Sequence, residues 1–249
     1  MGKFENKKVL ITGGNSGMGF ESARHFIREG AKVAITGRNL DGLKRAESEL
    51  GPNLIAIQAD ISDLRGHAAL ANELRERLGQ IDVLFLNAGV GTFAPFEQST
   101  TENFDQTFAI NVRGPFFLTQ SLLPLLKEGS SILFNASIAA HLGMPTASVY
   151  SGSKGALKSI ARVLAEELAV KKIRVNILSP GPIDTPIFNR AGLDPKETEN
   201  FKKQMAESTP LKRLGTVQEI AALVAFISSP DAGFITGSEF VIDGGMSKL

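Results

Sequence analysis

The chain contains no cysteine and no tryptophan, a single tyrosine and three histidines in 249 residues. Without cysteine, disulfides and thiolate metal sites are excluded. His25, His67 and His141 are scattered without ligand spacing, so no metal site is expected. With 27 basic and 26 acidic side chains the net charge is +1, and no Lys or Arg run marks a nucleic-acid or anionic-membrane surface. No apolar run approaches the roughly 20 residues of a membrane span, and MGKFENKKVLITGG lacks the apolar stretch of a signal peptide. Small molecules are the expected partners and the cytoplasm the expected compartment. The terminal Ser247-Lys248-Leu249 matches a peroxisomal address, which supplies the alternative for a eukaryotic host.

What is present is an alternation of two periods. Short apolar runs at 8–12, 32–36, 53–58, 81–87, 130–137, 173–179 and 239–243 read as strands. Helical patterns lie between them at about 17–29, 39–50, 62–78, 100–127 (two helices, broken near Gly114 and Pro115), 148–171 and 216–228. Strands that are apolar at successive positions are buried on both faces. The pattern predicts an α/β fold: one Rossmann-type domain over 1–249, with a doubly wound, parallel, seven-stranded sheet under helices on both faces. The proline-rich stretch at about 183–214 departs from the alternation and reads as a mobile, partly helical lid.

The first strand runs into TGGNSGMG, residues 12–19. Glycines allow a sharp turn and close approach to a pyrophosphate, whose charge suits the free N–H groups of a helix start. Gly13, Asn15, Ser16, Gly17, Met18 and Gly19 are therefore candidate cofactor contacts. At the end of the second strand, where an NAD site has an acid, the chain reads TGRN. Arg38 can pair with a 2′-phosphate that a carboxylate would repel, so NADP(H) is expected over NAD(H). Asn39 is either a further contact or the cap of the next helix. Asp60 and Ile61 after the third strand, and Asn87-Ala88-Gly89 after the fourth, stand at the carboxyl ends of strands, where open α/β sheets bind ligands.

The lone tyrosine lies in PTASVYSGSK, four residues before Lys154, so a helix puts both on one face. At about 5 Å and an effective dielectric near 20, an ammonium stabilises a phenolate by about 3 kcal/mol, or some two pKa units. Tyr150 is thus expected to be an acid/base group poised near neutrality. Ser137 ends the fifth strand and could bind a substrate oxygen. Asn111 is a polar residue inside an amphipathic helix, either a tolerated kink or part of a water-linked proton path to Lys154.

These motifs, in this order from Lys8 to about Gly245 and with PGPIDTP at 180–186, resemble the short-chain dehydrogenase/reductase family. The resemblance implies that Tyr150 transfers the hydroxyl proton, Ser137 orients the carbonyl, Lys154 lowers the Tyr pKa and binds the nicotinamide ribose, and Asn111 supports a proton relay. It places the nicotinamide near Pro180, Gly181, Ile183 and Thr185. The implied activity is reversible NADP(H)-dependent reduction of ketones to secondary alcohols, closest to bacterial alcohol dehydrogenases and carbonyl reductases. Ile138, His141, Leu142, Met144, Ala147, Ile187, Phe188, Phe201 and Met205 are the expected pocket; nearly all are apolar, which favours hydrophobic ketones. The alternatives are a 3-oxoacyl-[acyl-carrier-protein] reductase and a catalytically silent NADP(H)-binding sensor. Apolar faces at 115–127 and 148–171, with the family habit, imply a homotetramer.

Overall fold

The structure is a computed structural model that describes residues 2–185 and 194–247, except the Pro195 side chain. Seven parallel strands, β1 (Lys8–Thr12), β2 (Lys32–Gly37), β3 (Leu54–Gln58), β4 (Ile81–Leu86), β5 (Leu126–Asn135), β6 (Arg174–Pro180) and β7 (Glu239–Ile242), form one sheet in the order β3-β2-β1-β4-β5-β6-β7. The helices are α1 (Gly17–Arg28), α2 (Leu40–Leu50), α3 (His67–Arg77), α4 (Thr101–Phe108), α5 (Gly114–Leu122), α6 (Ser148–Ala169), α7 (Pro195–Ser208) and α8 (Val217–Ser228). No helix among the described residues is long and apolar enough to cross a membrane.

Alternate residues of each strand feed opposite cores, as the pleat requires. Val9, Ile11 and Leu133 pack with Ala23 and Phe26 of α1, Leu43 of α2 and Val224 of α8. Leu10, Leu84, Ile132 and Phe134 pack with Leu70 of α3, Leu118 of α5 and Leu157 of α6. Burial of each such Leu or Phe contributes roughly 1.5–3 kcal/mol. The doubly wound α/β expectation holds, and the strand order reverses between β1 and β4, which opens the ligand crevice there.

Several boundaries differ from the sequence reading. The two helices expected over 100–127 are present, and the break between them is a π-helical turn (Ala109–Arg113) rather than a loop, with α5 starting at Gly114. Gly114 is required because a Cβ there would collide with the Ile61 carbonyl. The 62–78 pattern splits into a 3₁₀ turn (Leu64–Gly66), whose N-cap is Asp63, and α3. The fifth strand begins at Leu126, not Ser130, after a 3₁₀ turn (Leu123–Leu125), and its register against β4 shifts between Ile81 and Val83. Gly129 at φ +83° permits that irregularity. The same strand ends at Asn135, leaving Ser137 beyond it. In the 183–214 stretch, α7 supplies the expected helix, started by an Asp194–Glu197 capping box, whereas residues 186–193 lie outside the described residues.

Candidate active site

At the first βα junction, Gly13 (φ +63°) and Gly17 (φ +55°) hold backbone conformations that L side chains avoid. A Cβ on Gly19 would stand 2.5 Å from the Gly13 carbonyl oxygen and 2.6 Å from Asn87 Nδ2. Asn87 Nδ2 donates to the carbonyls of Thr12 (3.0 Å) and Gly13 (3.1 Å), and the Ala88 N–H donates to Thr12 Oγ1 (3.0 Å). The carboxyl ends of β1 and β4 are thus laced together at the switch point. Ser16 is the N-cap of α1 but makes no side-chain cap bond. A cradle with no room for side chains, before a helix start without its side-chain cap, fits a dinucleotide pyrophosphate. Asn15 is turned toward α2, its amide 2.8 Å from a Cβ built on Gly42.

Farther out, Arg38 is 59% exposed and its Nη1 lies 3.9 Å from Asp60 Oδ2. Burial pushes the Asp60 carboxyl up, but the Ser62 hydroxyl and N–H, helped by Arg38, hold it below the usual carboxylate range. Asn39 resolves to a helix cap: its Oδ1 accepts the Gly42 N–H at 2.6 Å. At Ile61 the side chain lies in the core and the carbonyl accepts from His67 Nε2 at 2.9 Å.

At the other end, α6 carries Tyr150 and Lys154. Lys154 is 4% exposed, its Nζ donates to the Asn135 carbonyl at 2.7 Å and lies 5.8 Å from the Tyr150 ring centre. Burial lowers its pKa to about 8. The half-buried Tyr150 corrects the expectation of a phenol poised near neutrality: burial pushes it above its ordinary 10.0, and the hydrogen bond with Ser137 pulls the other way. Ser137 faces Tyr150 from the N-cap of a 3₁₀ turn (Ile138–Ala140), where its Oγ also accepts the Ala139 N–H at 3.1 Å.

Asn111 is brought to the same place by the π turn. Its Nδ2 donates to the Val90 carbonyl (2.9 Å) and to Ser153 Oγ (3.0 Å), its Oδ1 accepts the Val90 N–H (2.8 Å), and Ser153 Oγ donates to the Tyr150 carbonyl (2.7 Å). Both amide protons are engaged, so the side chain acts as a brace. A Cβ at Gly89 would stand 3.2 Å from Asn111 Oδ1 and 3.3 Å from Lys154 Nζ, which explains the glycine that follows Asn87-Ala88.

On the nicotinamide side predicted above, Pro180 ends β6, and Gly181 sits where a Cβ would meet Asp243 Cβ at 2.6 Å. Ile183 is buried and bridged to Gly215, and Thr185 is half-buried. In the expected pocket, Ile138 and Ala147 are buried, whereas Leu142 and Met144 are half-buried in the loop before α6. The His141 ring is held by Glu239, with Nε2 2.6 Å from its Oε1. Phe201 and Met205 stand on α7; Ile187 and Phe188 lie outside the described residues.

Sequence reasoning missed Thr12, Phe93, Asn135, Ser153 and Glu239. Asn135 left a signal, a polar residue in an apolar strand run, and Ser153 lies three residues after Tyr150 on its helix. Phe93 left none: its ring, 55% exposed and 5.6 Å from that of Tyr150, is placed by a loop whose Ala94 N–H bonds the Thr146 carbonyl at 2.9 Å.

A family profile described as Enoyl-(Acyl carrier protein) reductase matches residues 13–247. The oxidoreductase asL5 of Sarocladium schorii is 37% identical over 99% of this chain and 98% of its own. The NADP-dependent (R)-specific alcohol dehydrogenase of Lentilactobacillus kefiri is 35% identical over 98% and 97%. The crystal structure of a Brucella melitensis short-chain dehydrogenase/reductase, titled glucose/ribitol dehydrogenase, superposes with a TM-score of 0.92 at 36% identity over the whole of both chains. With its cradle, sheet order and Ser137-Tyr150-Lys154 cluster in place, the chain belongs to the short-chain dehydrogenase/reductase family of oxidoreductases.

Proposed function

We propose that the protein is an NADP(H)-dependent reductase that converts uncharged, hydrophobic ketones reversibly to secondary alcohols. The observation that carries this reading is the half-buried Tyr150 phenol, hydrogen-bonded to Ser137 and close to the buried Lys154, where burial favours the protonated form. A retained phenol proton can pass to a carbonyl oxygen as it becomes a hydroxyl, Ser137 holds that oxygen, and the Lys154 ammonium stabilises the phenolate left behind. Asn111 supports the relay by bracing Val90 and Ser153. Bound at the glycine cradle, the nicotinamide cofactor supplies the hydride. Gly13, Gly17 and Gly19 admit its pyrophosphate. The exposed guanidinium of Arg38 suits a 2′-phosphate, in keeping with the NADP dependence of the L. kefiri relative.

Half-buried Leu142 and Met144, with Phe93, give the site its apolar wall. Phe117 on α5 and Val163 on α6 are exposed, and we extend the proposal to a homotetramer closed over such faces, which light scattering of the purified protein would test. A carrier-protein thioester is the second reading, favoured by the description of the matching profile. Against it, Lys127 and Lys172 stand at the amino edge of the sheet, opposite the site, paired with Asp82 (2.9 Å) and Glu128 (2.6 Å). The test is NADPH oxidation with aryl ketones, aliphatic ketones and an acetoacetyl thioester, with Tyr150→Phe as the blank. Turnover of plain ketones is expected; turnover of the thioester alone would replace this reading with the second.

A further inference from the structure

Outside the reacting groups, one carboxylate joins three elements that carry them. Glu239, the first residue of β7, accepts the Ser179 hydroxyl at 2.5 Å through Oε1, the same oxygen lies 2.6 Å from His141 Nε2, and Oε2 pairs with Lys158 Nζ at 2.9 Å. Each partner belongs to a different part of the site. Ser179 is fully buried in β6 beside Pro180. Lys158 stands one helical turn beyond Lys154 on α6. His141 closes the turn that Ser137 caps, its N–H donating to the Ile138 carbonyl at 2.8 Å. Lys158 Nζ also lies 2.8 Å from His141 Nε2, so the carboxylate gathers two basic groups into one small space. The Lys158 and Glu239 side chains are 16% and 22% exposed, so water competes little for these bonds. Burial pushes the Glu239 carboxyl up, yet Ser179, Lys158 and His141 hold it below the usual range, which keeps it ionised at neutral pH.

We propose that Glu239 is a positioning residue, which fixes the Ser137 turn, the Tyr150–Lys154 helix and the end of β6 in one arrangement without touching the reacting atoms. Its kinetic consequence rests on the reductase reading above; its effect on Tyr150 does not. The hydrogen bond with Ser137 is the influence that pulls the phenol down against burial. Loosening the turn that Ser137 caps removes that influence and sends the phenol higher.

The chain has one tyrosine and no tryptophan, so phenolate absorbance reads Tyr150 alone. In Glu239→Ala the titration midpoint of the free protein is expected to move upward. With NADPH and a ketone, kcat is expected to fall about tenfold, the size of one lost charge-assisted hydrogen bond, with KM for NADPH unchanged. Glu239→Gln keeps an oxygen acceptor for Ser179 and restores most of both. A Glu239→Ala protein with native circular dichroism and a wild-type midpoint overturns the proposal. Should Glu239→Ala fail to fold, Ser179→Ala and Lys158→Met each remove one arm and are expected to give part of the shift; wild-type midpoints in both overturn it. Absence of ketone turnover in the wild type would sink the reductase reading and leave the titration to decide the role of Glu239.

Discussion

The two ends of the carboxyl edge differ in how much water they keep. Around Tyr150 and Lys154 most polar groups are buried or half-buried and bonded to one another, with Lys154 on the Asn135 carbonyl, Asn111 on Val90 and Ser153, and Ser153 on Tyr150, while Asn135 Oδ1 and Ser151 Oγ are buried without a hydrogen-bond partner among the described residues. Around Arg38 and Asp60 the charges are 59% and 38% exposed and 3.9 Å apart. Burial at the first end shifts proton affinities, and with them chemistry. At the second, water screens the charges, so they can choose between ligands while altering little else. Changes at the first end should therefore alter rate and stability steeply, and changes at the second should alter preference.

The comparison breaks first at Tyr150. Tyr150→Phe should fold and bind NADPH yet lose about 10²–10⁴-fold in turnover, the contribution of a positioned general acid; retention of most activity in the NADPH oxidation assay would end the parallel. Next comes Lys154, whose pKa falls from 10.5 to about 8 on folding. Between those values the unfolded chain binds more protons than the folded one, so stability rises with pH. Measured by urea unfolding against Lys154→Met, which cancels the other groups, the wild type should gain up to about 3 kcal/mol from pH 8 to pH 10.5. A flat difference would mean that the amine is not desolvated.

At the exposed end, Arg38→Asp should leave the melting temperature nearly unchanged. It should move the ratio of kcat/KM for NADPH over NADH about tenfold to a hundredfold toward NADH, the size of a lost charge-assisted pair. The smallest effect is expected at Asn39, the cap of α2. Asn39→Ala should cost about 1 kcal/mol in unfolding free energy and leave both cofactor affinities as they were, which separates a cap from a contact one residue away from Arg38.

Much of this was legible in the chain because it is carried by local pattern. Apolar runs gave every strand, and the glycines of TGGNSGMG marked the cradle because backbone geometry there admits nothing larger. Spacing put Tyr150 and Lys154 on one helical face. Pattern does not carry desolvation. The sequence made Lys154 the dominant influence on Tyr150, whereas in the folded chain burial is the larger cause, Ser137 opposes it, and the phenol is raised. Nor does pattern reveal partners far apart in the chain: nothing in the sequence near His141 pointed to its bond with Glu239, 98 positions away. Asn111 was read as a kink or a relay, and only the π turn and Ser153 show it as a brace.

The most direct test of this account is the ionisation of Tyr150 in the free wild-type protein, followed by phenolate absorbance with circular dichroism as the check on folding. With no other tyrosine in the chain, the curve belongs to this residue. A midpoint above 10.0 is predicted, because burial holds the proton that a reductase must deliver. A midpoint near neutrality would contradict the account and return control of the phenol to Lys154.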